Sequence, residues 1–206
     1  MEFSSSITKE NLMRAFAGES QARNRYTFAA NAAKQQNYEF LSRVFKLTAD
    51  QEKAHAEIFY NFLRQSNGEN IAVEGAYPVD NYDDIVKLLT SARHNEYEEF
   101  ETVYPAFAKT AKDEGFLQIA AAFENIAAIE KVHGDRFGTF ASLIERGLLF
   151  KAENTSEQTE WLCLNCGHIH KGPMAPQNCP VCHSDKGFFV PFKYYDFKEN
   201  GYASIG

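Results

Sequence analysis

Two short stretches decide the fold: Asp50-Gln51-Glu52-Lys53-Ala54-His55 and Ile129-Glu130-Lys131-Val132-His133. Each carries Glu-x-x-His. Three residues turn an α-helix by about 300°, so the carboxylate and the imidazole of each unit share one face. Outward from the first, the apolar stripe reads Leu41, Phe45, Thr48, then Glu52 and His55, then Phe59 and Phe62. Outward from the second it reads Phe116, Ile119, Phe123, Ile126, then Glu130 and His133, then Phe137 and Phe140. Two further stripes behave alike. One runs Leu12, Ala15, Phe16, Glu19, Ala22, Tyr26, Ala29; the other runs Ile85, Leu88, Ala92, Glu96, Glu99, Val103, Ala106. The three-and-four spacing predicts four amphipathic helices, each with carboxylate or imidazole in place of hydrocarbon at mid-length.

The helix limits follow from breakers and caps. A first helix is expected over 8–36, ending near Asn37, and a second over 39–66. A third should start at the cap residue Asn81 and reach Asp113, kinked at Pro105. A fourth should run from Phe116 to Arg146 between Gly115 and Gly147. The first and third connections are two or three residues, and the middle one, 67–80, is long. Two antiparallel hairpins joined by one long crossover make a ferritin-like four-helix bundle. Residues 1–147 are assigned to it. A polar linker over 148–160 leads to a second module, 161–206, that is too small to rest on an apolar core alone.

A single Glu on a stripe ordinarily sits at its edge with its head in water. Five at matching heights on four helices are another matter, because uncompensated buried carboxylates cost several kcal/mol each. Two divalent cations carry +4 against −5. A Glu from each of two helices plus Glu-x-x-His from the other two is the pattern of di-iron and di-manganese carboxylate bundles. Glu19 precedes Glu52 by 33 residues and Glu99 precedes Glu130 by 31, so the hairpins read as related halves, with Glu96 as the unmatched carboxylate. Tyr26 and Tyr104 lie near enough in phase to hydrogen-bond ligand carboxylates, or else to pack as core tyrosines.

The second module holds Cys163-Leu-Asn-Cys166 and Cys179-Pro-Val-Cys182, the only cysteines of the chain. Four thiolates suit tetrahedral zinc or iron alike. Gly167 follows the first pair where a turn is needed; His183 stands at the equivalent place in the second.

The chain has 206 residues, 44% hydrophobic and 24% charged, with a net charge of −7. That is globular composition, and it opposes nonspecific nucleic-acid binding. Residues 155–206 carry four Lys, no Arg and five acids, so the module has no basic face. No apolar run is long enough to span a membrane, and the N-terminus has no basic or apolar leader. A cytoplasmic location is expected, where paired cysteines bind metal rather than form disulfides.

The segments AFAGESQARNRY around Glu19, DQEKAHAEIF around Glu52, NEYEEFETVYPAFAKTAKDEGF, and WLCLNCGHIHKGPMAPQNCPVCHSDKGFF closely resemble the rubrerythrin family over residues 8–190. The resemblance implies a ferritin-like bundle joined to a rubredoxin-like domain, and it favours iron over zinc at the cysteines. It implies a non-haem iron peroxidase that reduces hydrogen peroxide to water. Two irons would be held by Glu19, Glu52, His55, Glu96, Glu99, Glu130 and His133, with a carboxylate-for-histidine exchange on reduction pairing Glu99 with His55. Electrons would enter at the rubredoxin-type iron, held by Cys163, Cys166, Cys179 and Cys182, from a reductase or rubredoxin fed by NADH or NADPH. The chain has no GxGxxG, so it is not expected to bind the nicotinamide itself. A homodimer is implied, with the rubredoxin-type iron of one subunit near the di-iron site of the other. Iron storage or ferroxidase action, and a zinc-ribbon scaffold on a redox-silent bundle, are the rival readings. The tail PFKYYDFKENGYASIG extends beyond the usual terminus, and its five aromatics are expected to pack on the module or a neighbour.

Overall fold

The computed structural model describes residues 2–154 and 158–195; most of the aromatic tail lies outside the described residues. Helix α1 spans Ile7–Gln35 and α2 Glu39–Phe62, followed by a 3-10 turn over Leu63–Ser66. Helix α3 spans Ile85–Glu98, a π-helical segment occupies Glu99–Val103, and α4 spans Tyr104–Asp113. Helix α5 spans Leu117–Glu145. Among the described residues no helix is long and apolar enough to cross a membrane.

The turns follow their chemistry. Asn37, Gly115 and Gly147 all adopt positive φ, at 61°, 90° and 67°, and end α1, α4 and α5. Helix α1 is capped twice. The Ser6 hydroxyl accepts from the Lys9 N–H, and the Glu114 carboxylate accepts from Ile7 and Thr8 N–H at 2.9 and 2.8 Å. That second cap ties the start of α1 to the α4–α5 turn.

The third helix departs from expectation in two ways. It starts at Ile85 rather than at Asn81, because the Asp84 carboxylate accepts from both Val86 and Lys87 N–H. Pro105 does not act as a simple kink either. The helix widens just before it, with the Tyr104 N–H reaching back five residues to the Glu99 carbonyl. A π-turn holds one residue more than an α-turn, and Pro105, lacking an N–H, begins the regular helix again beyond it.

The bundle core is divided in two. One apolar cluster gathers Ala22, Tyr26, Phe45, Ala49, Leu89, Ala92 and Phe137. The other gathers Leu12, Ala15, Phe59, Tyr104, Phe123 and Ala127. Between them lies a fully buried polar layer of Glu19, Glu52, His55, Glu96, Glu130 and His133. The four stripes therefore meet in register, as their mid-length polar residues required.

The second module is a three-stranded antiparallel sheet in the order β2-β1-β3, with β1 Thr159–Cys163, β2 Ile169–Gly172 and β3 Phe189–Pro191. It caps the bundle end at the α1–α2 turn. Leu162 and Val190 join the first core cluster, Arg43 of α2 donates to the Leu164 carbonyl at 3.1 Å, and Tyr194 meets Phe140 edge-on. The segment after α5, expected as a polar linker, is packed at its start. Leu149 and Ala152 are buried, and the Ala152 N–H donates to the Pro173 carbonyl at 2.8 Å.

Candidate metal centres

In the polar layer the helices bring two ligand groups together. Glu19, Glu52, His55 and Glu130 offer atoms within 4.8 Å of one another, and so do Glu52, Glu96, Glu130 and His133. Glu52 and Glu130 belong to both. Glu52 presents Oε2 to His55 Nδ1 and Oε1 to His133 Nδ1, each at 3.1 Å. Glu130 presents Oε1 to His55 Nδ1 at 2.9 Å and Oε2 to His133 Nδ1 at 2.8 Å. Each carboxylate thus spans both imidazoles, the geometry of a ligand bridging two cations.

Buried atoms without hydrogen bonds test the fit. Among the described residues they are Glu19 Oε2, Glu52 Oε1, Glu96 Oε2, both oxygens of Glu130 and both ring nitrogens of His133, which crowd one another without the alignment of hydrogen bonds. An unsatisfied buried polar atom costs about 1–3 kcal/mol, so the layer is costly unless cations occupy the point on which these atoms converge. The donor set, carboxylate plus imidazole, suits iron or manganese.

The metal-free electrostatics agree. Burial opposes charge on His133, yet Glu130, Glu52 and Glu96 outweigh it and raise its pKa to about 12. His55 is likewise raised to about 9 by Glu130 and Glu52 against the effect of burial. Burial would raise Glu130 too, but His133 and His55 pull it down to about 2. Burial, then the neighbouring carboxylates, hold Glu19 well above the ordinary range; burial does the same for Glu96, and loss of hydration at the carboxyl group does so for Glu99 although that residue is partly exposed. Without metal, protons supply the countercharge.

The two tyrosines are hydrogen-bond donors, and they cross between the halves. Tyr26 of α1 donates to Glu96 Oε1, and Tyr104 of α4 donates to Glu19 Oε1. Burial and the adjacent carboxylates raise both phenols well above their usual value, so they remain donors at neutral pH.

The internal symmetry differs from the one the spacing suggested. Glu96, not Glu99, is the counterpart of Glu19, since each completes the group of its own Glu-x-x-His unit. Glu19 precedes Tyr26 by 7 residues and Glu52 by 33; Glu96 precedes Tyr104 by 8 and Glu130 by 34. The one-residue excess falls within 96–104, where the π segment lies. Glu99 is the surplus carboxylate. It stands outside both close groups, begins the π segment and lines a cavity. It is partly exposed, whereas Glu19, Glu52, Glu96 and Glu130 are at most 1% exposed. Glu98, Glu101, Glu124 and His94 are exposed and away from the layer.

In the small module, Cys163 and Cys182 Sγ are 3.7 Å apart, and Cys166 and Cys179 Sγ 3.6 Å. A tetrahedron with metal–sulfur arms of about 2.3 Å has edges of about 3.8 Å. The thiols stand where four ligands to one ion belong. Both Cys-x-x-Cys loops close alike. Gly167 N–H donates to the Cys163 carbonyl and His183 N–H to the Cys179 carbonyl, at 2.9 and 3.0 Å. Their φ values are 79° and 62°, so His183 adopts the left-handed turn without being glycine. The Ser184 hydroxyl, 3.3 Å from Cys182 Sγ, is the main cause that lowers that thiol to about 5.

Sequence reading missed the fastening of the crossover. Arg25 Nη1 pairs with Asp80 Oδ2 at 2.8 Å, and Asn95 Nδ2 donates to the same oxygen at 2.7 Å. Arg14 Nε donates to the Glu74 carbonyl, and Tyr77 Oη to the Arg14 carbonyl, both at 3.0 Å. These partners lie 15 to 63 residues apart, and no periodic signal links them.

Known proteins with this arrangement are relatives by sequence. Residues 10–141 match the rubrerythrin family, and residues 161–190 match the rubrerythrin, rubredoxin-like domain. Rubrerythrin-1 of Clostridium acetobutylicum is 44% identical over 183 residues, 88% of this chain and 92% of that protein. The rubrerythrin of Nitratidesulfovibrio vulgaris is 39% identical over 184 residues, 89% of this chain and 93% of its own. Nigerythrin in its fully reduced, all-ferrous state superposes with a TM-score of 0.60 at 31% identity, covering 89% of this chain and 86% of that one. A bacterioferritin of Desulfovibrio desulfuricans gives 0.60 at 26% identity over 68% and 81%. With both domains matched in order and along most of its length, the chain belongs to the rubrerythrin family.

Proposed function

We propose that the protein reduces hydrogen peroxide to water at the carboxylate–histidine centre, as an oxidative-stress peroxidase of the cytoplasm. The observation that carries this reading is the pairing, in one chain, of seven orphaned buried ligand atoms with a four-thiol site. The first can hold two cations and the second can pass single electrons. The proposed ligands are Glu19, Glu52, His55, Glu96, Glu99, Glu130 and His133 for the iron pair, and Cys163, Cys166, Cys179 and Cys182 for the single iron. The iron pair, when bound, supplies two electrons to the O–O bond without releasing a radical, and the thiolate-held iron returns them one at a time.

The chain's own groups prepare that chemistry. Glu52 and Glu130 fix the spacing of the two positions by spanning both imidazoles. Tyr26 and Tyr104 hold Glu96 and Glu19 by their second oxygens, leaving the first free to point inward. The two apolar clusters exclude water from above and below. Glu99, the one partly exposed carboxylate, faces the side from which peroxide arrives and is placed to accept or return a proton there. A homodimer, in which a partner's four-thiol site serves this centre, and an NAD(P)H-linked reductase or a rubredoxin as donor, belong to the same proposal.

The likeness to a bacterioferritin favours ferroxidase or storage action as the second reading. The four-cysteine module, an electron inlet that storage does not require, favours the first. The test is metal content with a visible spectrum, then peroxide consumption under a chemical reductant. About three irons per chain, red ferric–thiolate colour and stoichiometric peroxide loss are expected. Oxygen-driven iron uptake without peroxide turnover would replace this reading with the second.

A further inference from the structure

The cavity beside Glu99 is larger than hydrogen peroxide needs. Its volume is about 450 Å³. A water's share of liquid volume is about 30 Å³, so hydrogen peroxide fills only a small part, whereas pockets of about 300–1,000 Å³ hold small organic molecules. Glu99 and Tyr104, whose hydroxyl holds Glu19, form its inner end. Away from that end the surface is mostly apolar, from Ala15 and Gly18 of α1, Val103, and Ala106 and Phe107 of α4, with Gln21, Glu98 and Thr102 also on the lining.

The crossover forms the remaining wall and is fixed in place. Tyr77 lies between two glycines; a Cβ on Gly75 would come within 2.9 Å of its hydroxyl and 3.1 Å of its ring, and one on Gly18 would meet the ring at 3.6 Å. The four bonds of Arg14, Tyr77, Arg25 and Asn95 fasten the wall on both sides, so the cavity is preformed. The two arginines at its rim are already engaged, Arg14 by Glu10 and Asn11 and Arg25 by Asp80 and Gln21. The rim therefore offers a neutral apolar group better terms than an anion.

We propose that the centre also reduces neutral organic hydroperoxides, with the alkyl or aryl group in this cavity and the hydroperoxide at Glu99. This rests on the peroxidase reading. The O–O bond breaks and the substrate is reduced: ROOH, two electrons and two protons give ROH and water. The electrons come from the same donor that serves hydrogen peroxide, through the four-cysteine site.

The test compares cumene hydroperoxide with hydrogen peroxide on the iron-loaded full chain, and adds binding of the product alcohol, 2-phenyl-2-propanol, to metal-free protein by calorimetry. Ala106→Phe fills the outer cavity, about 10 Å along the helix from Glu99, at an exposed position. The expected result is turnover of both peroxides by the parent. Ala106→Phe should lose at least tenfold in kcat/KM for cumene hydroperoxide and in alcohol affinity, and less than twofold for hydrogen peroxide. If Ala106→Phe unfolds, Ala106→Leu should show the same order of effects. Reduction of hydrogen peroxide alone, or alcohol binding indifferent to residue 106, overturns the inference and leaves the peroxidase reading standing. Turnover of neither peroxide overturns both.

Discussion

Loading the bundle with two ferrous ions at pH 7 should release protons, and their number follows from the centre. Metals bind neutral imidazole and ionised carboxylate. Metal-free, His55 titrates at about 9 and His133 at about 12, so both are charged at pH 7. Those two protons must leave. Protons on Glu19, Glu96 and Glu99, all raised well above the ordinary carboxylate value, add to them. Each proton displaced contributes a factor of ten in affinity per pH unit, so two make affinity for the pair rise at least about a hundredfold per unit near neutrality. Above pH 9 the slope should fall by one as His55 loses its proton unaided. The assay is an anaerobic ferrous titration of full-length protein with its four-cysteine site already filled, in weak buffer with a pH indicator. Fewer than one proton released per metal pair would refute the reasoning and mean that the centre stands deprotonated before metal arrives. The same shift has a stability consequence. A histidine raised on folding stabilises fully below its unfolded value of about 6.5, and the effect is lost as pH rises through about 9. Metal-free protein should therefore weaken above pH 9, while loaded protein, whose imidazole carries metal instead of a proton, should not.

Other changes read other parts of the structure. Tyr104→Phe keeps the ring in its aromatic cluster but strands Glu19 Oε1, and should cost about 1–3 kcal/mol in the melting of metal-free protein, with a smaller loss once metal is bound. Glu99→Ala should leave the melting of the protein close to that of the parent and slow peroxide turnover; unchanged turnover would remove Glu99 from the reaction. Burial opposes the charge of Glu114, but the Thr8 hydroxyl and the Thr8 and Ile7 N–H groups lower its pKa overall. Glu114→Gln should cost about 1 kcal/mol at neutral pH, and the gap from the parent should close as pH falls below the ordinary 4.5 and through the lowered folded value. A Cβ at Gly187 would lie 1.8 Å from the Asn37 carbonyl oxygen, so Gly187→Ala should loosen the small module from the bundle. Faster proteolysis between the domains, with the iron–thiolate spectrum retained, would register it.

Periodicity made most of the bundle legible, because four stripes interrupted at one height have few other ways to bury themselves. The cysteine spacing did the same for the small module, where four thiols within 20 residues leave little choice of partner. The surplus residue in the third helix was not legible: Glu96, Glu99, Val103 and Ala106 keep a plausible three-and-four rhythm whether the turn between them is α or π. That hid which glutamate matches Glu19. Asp84 and Asn81 are both good caps, and only the route of the crossover decides between them. Tyr26 and Tyr104 could be placed near the layer by phase, but their partners lie 70 and 85 residues away. The bonds that fasten the crossover join single residues of an aperiodic segment to helices, and nothing in the order of the chain announces them.

The π segment lets the second hairpin hold one residue more than the first and stay in phase with it. In a plain α-helix one added residue would advance everything beyond it by about 100°; the wide turn absorbs that advance, so Tyr104 and Glu130 still match Tyr26 and Glu52. The two halves correspond on either side of 99–103 and part company across it. The residue that breaks the twofold relation is also the one that turns a carboxylate toward the cavity. The unmatched carboxylate and the cavity it lines are thus a single property, carried by one wide turn. Excision of one residue from 100–103 would return a centre that is more nearly even-handed and more nearly sealed.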